Sequence, residues 1–124
     1  MKIRYANSPQ EIEISGDPVE LLQLAEILAS GGGELETEHG DSGPYDQTLV
    51  GVIVKQTAEQ NVSFNVESAL RLAISGSTDK LNALAKNIEG LARDGTRDEH
   101  WHAEYFPGHS FLDDNSIPVV FSRR

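Results

Sequence analysis

The sequence predicts the α+β class: a mostly antiparallel sheet of about eight strands with two helices on one face, built from two related strand-helix-strand halves. Three observations lead there. Ile14-Ser15-Gly16 and Ile74-Ser75-Gly76 align at an offset of 60 residues, and Leu21, Leu24, Ala25 and Leu28 then fall on Leu81, Leu84, Ala85 and Ile88. That i, i+3, i+4, i+7 spacing gathers apolar side chains into one helical stripe. Elsewhere the period changes to two, as in Glu11-Ile12-Glu13-Ile14 and Val62 to Glu67, which marks strands with one buried and one wet face. Each half is too small for a good core, so the repeat reads as duplication inside one domain, 1–124, with halves of about 1–60 and 61–124.

In chain order, strands are expected over Lys2 to Ala6 and around Ile12 and Ile14. Asp17 as N-cap, Pro18 in the first turn and Glu20 at the capping-box position start the first helix, and Gly31-Gly32-Gly33 stops it. A strand over Glu34 to His39 follows, then an exposed connection of turn formers from Gly40 to Gln47 and a strand over Thr48 to Gln56. The second half brings strands over Val62 to Glu67 and Ala69 to Ser75. Its helix runs from Ser77 to a left-handed cap at Gly95, with Arg93 in the last turn. Strands over Glu99 to Tyr105 and Pro118 to Ser122 complete the sheet.

Composition removes several function classes. No run approaches the ~18 apolar residues of a membrane span, and Met1 to Pro9 lacks a signal-peptide core, so the expected compartment is the cytoplasm. The absence of cysteine excludes disulfides, thiolate metal sites and a cysteine nucleophile. Twenty acids against ten lysines and arginines give a net charge of -10, and between Arg4 and Lys55 lie ten acids and neither lysine nor arginine. A field of that sign repels nucleic acid and anionic membrane and attracts basic partners, so neither nucleic acid nor membrane is expected as a partner. Catalytic machinery is not evident. There is no GxSxG elbow, the one glycine run follows a helix instead of opening one, and Asp113-Asp114 are sequence neighbours in a turn.

The densest group of chemically capable side chains is His100-Trp101-His102-Ala103-Glu104-Tyr105-Phe106-Pro107-Gly108-His109. On a strand, His100, His102 and Glu104 share one face while Trp101, Ala103 and Tyr105 share the other. Three readings follow. His100, His102 and Glu104, with His109 returning after the Pro107-Gly108 turn, supply nitrogen and oxygen ligands to a divalent metal. Alternatively they are cross-strand polar pairs over a core filled by Trp101 and Tyr105. In the third, the aromatics and histidines anchor a protein partner.

His100, His102, Glu104, Tyr105, Pro107, Gly108, His109, Phe111, Leu112, Ser116 and Pro118 together resemble the C-terminal signature of a family of bacterial immunity proteins from polymorphic toxin systems, the thirty-second such family catalogued. The resemblance implies a cytoplasmic protein that binds a cognate toxin and blocks it, needing no cofactor and catalysing nothing; it leaves open whether the shared residues serve binding or the fold. The acidic half supplies the expected toxin-facing residues, Glu34, Glu36 and Glu38 on one strand face with Asp41 and Asp46, opposite a basic toxin. Two rivals remain: a metal-binding protein or metal-dependent enzyme using His100, His102, Glu104 and His109, and a scaffold that assembles through an exposed sheet edge. Monomer and homodimer are both open.

Overall fold

The period-two segments pair into two sheets where one was expected. The structure, a computed structural model, describes residues 1–58 and 60–124. Its elements are β1 (Lys2–Asn7), β2 (Gln10–Gly16), α1 (Pro18–Ser30), β3 (Gly32–Glu36), β4 (Gln47–Thr48), β5 (Gly51–Gln56), β6 (Ser63–Glu67), β7 (Arg71–Gly76), α2 (Thr78–Asp94), β8 (His100–Ala103) and β9 (Val119–Arg123). The class is α+β, with strand orders β4-β1-β2-β9-β8 and β3-β5-β7-β6. Pairing is antiparallel except for β2 with β9 and β5 with β7.

The two sheets share a plan. Each takes the hairpin that precedes one helix and joins it, through a parallel pairing, to two strands that follow the other helix: β1-β2 with β9-β8, and β6-β7 with β5-β3. The segment from Thr48 to Gln56, expected as one strand, is divided by this exchange. Thr48 pairs with Arg4 in the five-stranded sheet, whereas Gly51 pairs with Glu36 and Arg71 in the four-stranded one. Between them the Leu49 N–H donates to Ile3 O at 2.9 Å and the Val50 N–H to Leu70 O at 2.8 Å, so the crossing leaves neither donor unpaired.

Both helices begin as their sequences direct. Asp17 accepts from the Glu20 N–H at 2.9 Å while its own N–H donates to Glu20 Oε1 at 3.0 Å, a reciprocal cap that stabilises α1 by about 1 kcal/mol. Gly31 ends α1 with φ of 86°, the left-handed geometry glycine adopts without penalty. Gly95 departs from expectation: it caps α2 in an extended conformation, φ -72°, with its N–H on Leu91 O. A side chain there would run into the Leu91 carbonyl oxygen, so close approach and not handedness selects glycine.

Leu21, Leu24, Ala25 and Leu28 of α1 and Leu81, Leu84, Ala85, Ile88 and Leu91 of α2 enter one continuous core with the inward residues of both sheets. The helices pack chiefly on each other and straddle the sheets, α1 touching β2 and β3, α2 touching β7 and β9. Phe64 of β6 and Phe121 of β9 meet edge to face at 6.1 Å, and Trp101 of β8 stacks on Phe121 at 5.3 Å. Backbone contacts also join the sheets at their margins. Lys2 bridges Glu38 on one side; on the other, Val62 bridges Leu112, and the Ile117 N–H donates to Phe64 O at 3.0 Å.

Candidate functional site

Alternation in β1, β2, β8 and β9 sends Ile3, Ile12, Ile14, Trp101, Val119 and Phe121 toward the core and the intervening residues outward. The register aligns the outward ones in rows. His102 lies opposite Val120, Val120 opposite Glu13, Glu13 opposite Arg4, and Arg4 opposite Thr48. The segment after β3 lies against this face, where Arg4 Nε donates to Asp41 O at 3.3 Å. Arg4 Nη1 donates to Glu13 Oε1 at 2.7 Å, so that carboxylate is neutralised in place.

At one end of the face a groove of about 240 Å³ is lined by Pro9, Gln10 and Glu11, by His102 and Glu104, and by Pro118, Val119 and Val120. Glu11 and Glu104 have no ion-pair partner among the described residues. Tyr45 donates from its hydroxyl to Glu11 Oε1 at 3.4 Å. Burial, then the negative charges of Glu11 and Glu13, push the Tyr45 phenol up to about 12, so it stays protonated and able to donate to Glu11. A larger depression, about 540 Å³ along β6, is lined among the described residues by amides, the hydroxyls of Ser63 and Ser75, and the carboxylate of Asp113, whose Oδ1 accepts the Asn115 N–H. That described lining includes no histidine or lysine to serve as a base for either serine.

The histidine-aromatic stretch divides into an exposed part and a structural part. β8 ends at Ala103, two residues earlier than expected, so Glu104 leaves the strand and Tyr105 is 39% exposed instead of filling the core; Trp101 is half-buried on Phe121. Phe106, at 59% exposure, opens a turn in which the His109 N–H donates to Phe106 O at 2.9 Å, with Pro107 and left-handed Gly108, φ 89°, as its central residues. His109 then turns inward. Its Nδ1 accepts from the Phe111 and Leu112 N–H groups at 3.2 and 2.9 Å, and its ring touches those of Phe106 and Phe111. Phe111 and Leu112 are buried, and Ser116 Oγ accepts the Phe64 N–H at 2.9 Å, closing the sheet margin.

The expected ligand set of His100, His102, Glu104 and His109 is therefore not assembled. His100 and His102 share the outer face of β8, Glu104 lies beyond the strand, and His109 is committed to its own loop. Among the described residues no three histidine, aspartate or glutamate side chains gather as metal ligands.

Nor do the acids of the first half form one unbroken anionic surface, because bases from outside that stretch fold onto it. Glu34 meets Arg71 at 3.4 Å, and Glu38 meets the Met1 amine and Arg124, both at 3.3 Å. Glu34 and Glu36 lie on β3 of the four-stranded sheet, whereas Glu38 is past the strand end beside β1, so the three do not act as one row. Asp41 Oδ1 accepts the Gly43 N–H at 2.8 Å, and Asp46 Oδ2 accepts the Asn7 N–H at 2.7 Å at the rim of the five-stranded sheet. Glu11 carries no functional signal in the sequence, and Pro118 stands there only in the C-terminal signature. Alternation placed Glu11 outward, but only the β2–β9 pairing brings it beside the second half.

Glu20 carries a second charge cluster. It binds the Met1 amine, and its Oε1 accepts from Arg124 at 2.9 Å. Burial pushes its carboxyl up, but the Met1 amine, the Asp17 N–H and Arg124 outweigh this and hold it down at about 2.

Fold and site together define a small α+β protein with a charged outer sheet face, a surface suited to binding. The chain belongs to the Immunity protein 32 family, whose sequence profile matches residues 11–41 and 71–124. The matched stretches contain β2 from Glu11 onward, α1, β3, β7, α2, β8 and β9, and so include every lining residue of the groove except Pro9 and Gln10. No curated protein and no solved structure matches the chain. No helix among the described residues is long and apolar enough to cross a membrane.

Proposed function

We propose that this protein neutralises a cognate toxin by binding it directly, stoichiometrically and without catalysis, inside the cell that makes the toxin. The family match carries the reading, since an immunity protein implies a toxin as its partner. The charge supports direct contact: at -10 the protein speeds encounter with a basic toxin domain, and the acids it presents occupy the positions that a phosphate would take in such a toxin. Of the five acids first expected to face the toxin, Glu34 and Glu38 are held by internal ion pairs, leaving Glu36, Asp41 and Asp46 without one among the described residues. No cofactor enters this reading.

The common plan of the two sheets supports a single domain of two related halves that exchanged their trailing strands. Such an exchange explains why neither half carries a surface of its own. The test of function is protection: cells expressing the toxin domain encoded beside this protein survive when the immunity protein is co-expressed. Death at the unprotected rate, with the protein soluble and folded, removes the proposal.

A further inference from the structure

Resting on that reading, we infer that the groove between the β1–β2 turn and the end of β8 receives a cationic side chain, arginine or lysine, presented by the toxin. The strand order supplies the geometry. Glu11 of β2 and Glu104 beyond β8 flank β9, which runs between their strands. Two interstrand spacings separate those backbones by about 10 Å, wide enough for one guanidinium to donate to both carboxylates. The floor from Pro118 to Val120 is largely apolar and suits the methylene stem of such a side chain, and the His102 ring on the wall offers a face for a guanidinium to stack on.

Charge selects the occupant. On this face Glu13 already has Arg4, but Glu11 and Glu104 have no base among the described residues. An anionic or purely apolar partner group would meet two uncompensated carboxylates. Tyr105 and Phe106, exposed immediately after Glu104, add aromatic contact area at the rim of the groove.

Calorimetry with the adjacent-gene toxin domain tests this on the full chain, comparing wild type, E11Q/E104Q, E104Q alone and E26Q/E89Q on the two helices. Glutamine keeps shape and hydrogen bonding while removing charge, and melting curves verify the fold. E104Q alters only an exposed residue beyond the strand, so it keeps the test decisive if E11Q disturbs the Tyr45 contact. The double groove variant is expected to raise Kd roughly tenfold or more and flatten its salt dependence, E104Q to give part of that loss, and E26Q/E89Q to stay within about twofold. Wild-type Kd in folded E11Q/E104Q overturns the inference and leaves the function standing, as does an equal loss in E26Q/E89Q. A wild-type protein that does not bind the toxin removes both.

Discussion

Glu11 and Glu104, from opposite ends of the chain, line one groove because β9 inserts between the strands that lead to them. One acid of the first half thus lies beside the histidine-aromatic stretch of the second. The parallel β2–β9 pairing, Glu13 opposite Val120, is the contact that brings them together.

That pairing depends on the core beneath it. Phe64 is fully buried and meets Phe121 across the two sheets. Phe64→Ala is expected to cost about 3–5 kcal/mol, from lost transfer energy plus the cavity left behind. Denaturant titration checks it. A loss under about 1 kcal/mol would mean the sheets are held together elsewhere.

His109 holds the Tyr105-Phe106 loop by accepting two backbone N–H groups. His109→Ala leaves those donors unpaired near the core and is expected to cost about 1–2 kcal/mol. Limited proteolysis of the variant should then cut first between Glu104 and Ser110, while wild type resists there. Equal cleavage in both proteins contradicts the capping role.

Glu20 sets an acid limit on stability. Its carboxyl is held at about 2 in the folded chain against an ordinary 4.5, so the unfolded state takes up the proton first as pH falls. The stabilisation is fully present above about 4.5 and is lost on acidification toward about 2. At pH 7 Glu20→Gln should be the less stable protein by roughly 1 kcal/mol, given a partly exposed site, and the gap should close below pH 3. A gap that does not change with pH contradicts the assignment.

Much of this was legible in advance. Asp17, Pro18 and Glu20 announced α1 because capping chemistry is local, and the 60-residue repeat announced two matched helices. The division into two sheets was not legible, because alternation in Thr48 to Gln56 tells which side chains point inward and not which strand lies alongside. For the same reason the groove stayed hidden: Glu11 shows its outward parity in the sequence, but its proximity to His102 and Glu104 depends on β9. The dispersal of His100, His102, Glu104 and His109 was hidden for a local reason, since β8 stops at Ala103 and His109 Nδ1 accepts two backbone N–H groups.

Zinc should accordingly leave the protein unchanged. A metal bound at a hundredfold excess over its Kd adds roughly 2.7 kcal/mol to the folded state and raises Tm by several degrees. Melting curves with zinc, with chelator and with neither are expected to coincide. A clear zinc-dependent rise abolished by His100→Ala and His102→Ala would restore the metal site.

Direct binding is checked by size-exclusion chromatography of the purified protein mixed with the adjacent-gene toxin domain. A single stoichiometric complex is expected at low ionic strength, with an affinity that falls as salt rises. Two separate peaks at low salt, with both proteins folded, would contradict it.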